Sequence, residues 1–130
     1  MGPERVLVAL GAVAGCLGVA LAAAAAHVAA GEGTLGIAAQ FLLAHAPALI
    51  GLAAASAAGV AHRVVAIVAG GLIALGVAFF AGDLAHRAFR AASLFPMAAP
   101  TGGIVLMAGW AVAAASAVVG GQKRLKNLRF

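Results

Sequence analysis

The sequence predicts an all-α membrane protein, a four-helix bundle in up-down-up-down order with short loops. The first reason is where the charge falls. Eight Lys or Arg and three Asp or Glu leave four charge-free stretches at 6–31, 33–62, 64–82 and 91–122. Each has about 19 residues or more, enough to cross a hydrocarbon layer of ~30 Å at ~1.5 Å per residue. The second is composition: 65% hydrophobic and 8% charged, with a mean hydropathy of +1.16. Soluble domains run at roughly 45–50% and 25%. A chain of 130 residues is filled by one such bundle, so a single integral membrane domain spanning 1–130 is expected.

The first span is expected at about 5–29. Val13-Ala14-Gly15-Cys16 is similar to a bacterial lipobox, but Glu4 cancels Arg5 and the apolar run continues well past Cys16. The segment is therefore read as a retained span and not as a signal peptide. A short turn at 31–34 leads to a second span at about 35–58, and the third follows at about 64–89. The connection 91–99, with Leu94, Phe95, Pro96 and Met97, is too apolar for an aqueous loop and is expected in the interface. Pro100 suits the first turn of the fourth span, at about 100–121. Gly120-Gly121 reads as a helix end, and a basic tail, 122–130, follows it.

Counting positive charges orients the bundle. Arg5, Arg63, Lys123, Arg124, Lys126 and Arg129 fall on one side; Arg87 and Arg90 fall on the other with Glu32 and Asp83. Both termini are therefore expected in the cytoplasm. The lipid bilayer is the partner implied. The net charge of +5 is not laid out on a surface that could track a duplex, so no nucleic acid is expected.

Small residues carry the helix packing. Gly11, Gly15 and Gly18 form a stripe along the first span, and Gly102, Gly103 and Gly109 thin the fourth. Without a hydrophobic drive between helices in lipid, such residues permit close approach. They serve either a homo-oligomer face or packing within the bundle.

Polar groups gather in two places. Asp83, His86, Arg87 and Arg90 are spaced to share one helix face, ~28 Å along the third span, and His27 ends the first span at similar height. An ion pair with headgroup-level arginines, or a docking or anionic-ligand site, fits this rim. The adjacent guanidiniums disfavour a metal. Deeper, His45 sits ~15 Å into the second span, and Pro47 frees the Leu43 carbonyl. Trp110 lies at matching depth in the fourth span, where its N–H needs an acceptor. His45, Trp110 and Gln40 are thus expected as the buried polar core, with His45 and Trp110 meeting. No second histidine matches His45 in depth, so no haem or other cofactor is expected.

Several of these stretches together resemble a known family. Gly15, Gly18-Val19-Ala20-Leu21 and Ala26-His27 are similar to its glycine-rich first span. His45-Ala46-Pro47-Ala48-Leu49 resembles its His-Ala-Leu-Ala-Leu. Phe80-Ala81-Gly82-Asp83-Leu84 resembles Phe-Ser-Gly-Ser-Leu, and Ala99-Pro100-Thr101-Gly102-Gly103 with Gly109-Trp110 resembles Thr-Pro-x-Gly-Gly and Gly-Trp. The order matches the YgdD/YwdK family of small bacterial membrane proteins, a domain of unknown function with a eukaryotic transmembrane relative. The resemblance implies a four-helix inner-membrane protein and no particular reaction. The chain departs from it at the short 31–34 turn, at Asp83 and at Ala85-His86.

No nucleophile–base pair or metal-ligand set is evident, so the protein is expected not to be an enzyme. The leading expectation is a packing or accessory component that self-associates or docks to a larger membrane complex. The alternative is a binder or carrier of a small amphipathic ligand, a lipid or quinone, at the outer rim.

Overall fold

The computed structural model describes residues 1–27 and 32–127, except the side chains of Glu32 and of residues 122–127. The described residues form four helices: α1 (Pro3–Ala25), α2 (Glu32–Ala57), α3 (Arg63–Arg90) and α4 (Ala98–Asn127). All four are long and apolar enough to cross a membrane, and the protein is a multi-pass membrane bundle. Pro3 opens α1, where its missing N–H costs nothing, and Glu4 sits favourably in the first turn. Ala91 closes α3 in the left-handed conformation, with its N–H donating to the Arg87 carbonyl.

Contacts at the two ends fix the alternation of direction. The end carrying Glu4 also holds Ser56, Arg63 and Ser116, while the opposite end holds the Asp83–Leu94 contact. α1 packs on α2, α2 on α3 and α3 on α4; α1 meets α3 only lightly. α1 and α4 do not form a packed pair. The divergence of α1 from α3 leaves an apolar groove of about 400 Å³, lined among others by Leu10, Leu17, Leu42, Leu49, Val77 and Ala81.

The core is thin because the seams are made by glycine and alanine. A Cβ on Gly11 would lie 2.7 Å from the Ala46 carbonyl oxygen, and one on Gly18 would lie 2.7 Å from Leu43 Cγ. On α4, a Cβ on Gly102 would approach the Phe80 backbone nitrogen at 2.5 Å, and one on Gly109 would lie 2.7 Å from Ile73 Cγ1. Four of the stripe glycines are therefore used within one chain: Gly11 and Gly18 against α2, Gly102 and Gly109 against α3. Gly15 and Gly103 have room, at 3.6 and 4.0 Å from their nearest neighbours. At these four positions the stripes serve intrachain packing.

α1 ends at Ala25, short of the expected 29, and later helix ends differ from expectation at three further points. α2 starts at Glu32, so Gly33 and Thr34 are helical, and the connection 28–31 lies outside the described residues. α4 starts at Ala98, which puts Pro100 third in the helix; first-turn residues have no intrahelical N–H bond to lose. The third difference concerns Gly120-Gly121, through which α4 continues to Asn127. Gly120 is not a stop but a contact: its Cβ position is 2.7 Å from the Val60 carbonyl oxygen of the α2–α3 turn. The side chains of the expected basic tail lie outside the described residues.

Candidate functional site

Asp83 is fully buried at the α3 rim, and both its oxygens are engaged. Oδ2 accepts from Arg87 Nε at 2.7 Å, and Oδ1 accepts from the Leu94 backbone N–H at 2.8 Å. One turn of α3 supplies both acid and base, at the favourable i,i+4 spacing. The carboxylate also ties the α3–α4 connection, 91–97, back to its own helix. His86 adds a second tie, donating from Nδ1 to the Ala92 carbonyl at 2.7 Å. Phe95 packs edge-on against Phe79 with ring centres 5.6 Å apart. Leu94, Phe95 and Met97 nevertheless keep apolar surface outward, as an interfacial segment does.

The rim residues are thus divided. Asp83, Arg87 and His86 form one hydrogen-bonded unit around the connection. Arg90 is exposed in the last turn of α3, and His27 is exposed beyond the end of α1. Neither joins the Asp83 unit, because that unit turns toward 91–97. Among the described residues no three metal-ligating side chains converge.

At mid-membrane depth, Trp110 Nε1 donates to His45 Nε2 at 3.2 Å, and His45 Nδ1 donates to the Phe41 carbonyl at 2.6 Å. Donating at Nδ1 while accepting at Nε2 describes a neutral imidazole with both nitrogens satisfied. Phe41 stacks on His45 and lies 4.2 Å, centre to centre, from Phe80. Of the expected buried polar core only His45 is buried. Trp110 is 49% exposed and laps over His45 from outside, and Gln40 is exposed on the outward face of α2. Depth along a helix is read from residue count; direction around it is set by which face packs. The inward face of α2 is Leu35, Ala38, Leu42, Leu49 and Ala53, and Gln40 lies away from it.

A third polar cluster was not read from the sequence. Arg63 grips Glu4 with Nε on Oε1 at 2.6 Å and Nη2 on Oε2 at 3.1 Å, and Ser56 donates to Oε1 at 3.4 Å. This two-point pairing joins α1, α2 and α3 at the end bearing both termini. Beside it, the His62 N–H donates to the Ser116 carbonyl at 2.8 Å and docks α4 on the same turn. The available signal was that Glu4 is the sole acid expected at that end of the bundle.

These arrangements hold helices and loops together; their donors and acceptors point at one another. The family described as "Protein of unknown function (DUF423)" matches residues 21–103. The matched stretch takes in His45, Gln40 and the whole Asp83 rim but stops short of Trp110. No curated protein and no solved structure matches the chain. With well over half its length matched from late α1 into α4, the chain belongs to the DUF423 family.

Proposed function

We propose that the protein is a non-catalytic accessory component of a bacterial inner membrane, of the YgdD/YwdK kind, with both termini cytoplasmic. It acts by docking in the plane of the bilayer, to a copy of itself or to a larger membrane complex. The observation that carries this reading is how the polar groups are used. Asp83, His86 and Arg87 hold a loop, Glu4 and Arg63 hold three helices, and His45 satisfies Trp110. What remains for function is the bilayer-facing surface. Crosslinking in native membranes, followed by mild-detergent purification, should recover a second copy or another membrane protein in fixed ratio. A lone monomer with no adduct overturns the proposal.

The groove between α1 and α3 supports a second reading, a carrier of a lipid or quinone. Its volume of about 400 Å³ falls within the usual range of ligand pockets, and Arg87 and Arg90 stand at the rim for an anionic head. Native mass spectrometry should then find a co-purified amphiphile that is lost on Arg87→Ala or Arg90→Ala.

A further inference from the structure

The outward face of α2 carries a polar side chain, Gln40, well inside its span. Bulky side chains are exposed on every helix: Val13 and Leu17 on α1, Leu43 and Ile50 on α2, Val64 and Val68 on α3, Ile104 and Met107 on α4. On α2 the exposed line runs Gly33, Ile37, Gln40, Ala44, Pro47, Gly51. The steps are four, three, four, three and four residues, the heptad seam of a left-handed helix pair. Among the described residues nothing beyond its own helix lies within 4 Å of a Cβ built on Gly33 or Gly51, whereas Gly11, Gly18, Gly102 and Gly109 are pressed against a neighbouring helix.

Gln40 says what covers this seam. It lies ~10 Å inside a charge-free span, counted from Gly33, and is exposed on the outward side. Its amide makes no hydrogen bond among the described residues. A primary amide left bare in hydrocarbon is costly, and interhelical hydrogen bonding is the usual relief. An amide both donates and accepts, so it is complementary to itself. Two copies inserted with the same topology are related by an axis along the membrane normal, which brings residue 40 opposite its own counterpart at equal depth.

We infer that α2 forms a parallel, two-fold homodimer seam on which the two Gln40 side chains hydrogen-bond to each other. The inference rests on the docking reading above and names its occupant. The single polar position sets the register, as one buried amide does in a soluble coiled coil.

The test uses the full-length chain in native membranes with Cys16→Ser, since Cys16 is exposed. Gln40→Cys, Ala44→Cys and Gly51→Cys should each give a disulfide dimer on oxidation, and Ile104→Cys on α4 should not. Separately, Gln40→Leu should weaken association about threefold to twentyfold, while Gln40→Asn retains most of it. Unchanged association in Gln40→Leu overturns the amide pair. Dimers through Ile104, or Gln40→Cys adducts with a different protein, overturn the α2 homodimer and leave the docking reading standing. No adduct from any of the four positions overturns the α2 homodimer, and a lone monomer on general crosslinking as well overturns the docking reading.

Discussion

The indole N–H of Trp110 donates to His45 Nε2 at 3.2 Å, joining α4 to α2. Trp110 is the only tryptophan in the chain, so its fluorescence reports this one bond. His45→Phe keeps the ring and removes the acceptor. The emission maximum of Trp110 should shift and the intensity change. His45→Ala also empties a buried site and should lower stability by about 2–3 kcal/mol. Identical spectra for wild type and His45→Phe would argue against the bond.

Asp83→Ala removes the acceptor of the Leu94 N–H and strands the connection 91–97. A loss of about 2–4 kcal/mol is expected, of the size seen when a buried charged acceptor is deleted. Amide hydrogen exchange at Leu94 should accelerate while the middle of α3 stays protected. Arg87→Ala should also cost about 2–4 kcal/mol, because it leaves the fully buried Asp83 carboxylate without its countercharge.

The glycine contacts predict a sharp contrast between neighbours. Gly102→Val drives a side chain into the Phe80 backbone and should destabilise by about 3 kcal/mol or prevent folding. Gly103→Ala, one residue on, should stay within about 0.5 kcal/mol of wild type. Thermal unfolding in detergent separates them, and equal effects would mean that the α3–α4 seam is misplaced.

Topology is open to a direct check. A reporter fused after Phe130 should be active only in the cytoplasm, and one inserted beside Ser93 only outside. The opposite pattern would invert the placement of the rim.

Charge-free runs were enough to find the four spans, and matched depth was enough to pair His45 with Trp110. Angle around the helix was not available. Gln40 and Trp110 were expected inside because polar groups in lipid should be hidden, yet both face outward. Trp110 hides only its N–H, and Gln40 hides nothing within the chain. The Asp83–Arg87 pair is local and was legible from spacing, whereas Leu94 reaches Asp83 only because the connection folds back. The Glu4–Arg63 pair spans 59 positions and depends on how three helices meet. At Gly120 a glycine used for close approach looked like a helix end, since both uses select the same residue.

Asp83 also constrains how the protein is made. Its second ligand, Leu94, emerges from the ribosome eleven residues later, and 91–97 must already have turned back before the bond can close. Until then the carboxylate has only Arg87 and surrounding water or headgroups for company. The last two spans are therefore expected to leave the translocation channel as one hairpin, with the turn between them locking as they partition into lipid. Until 91–97 turns back, the buried carboxylate of the third span is held by Arg87 without its Leu94 tie.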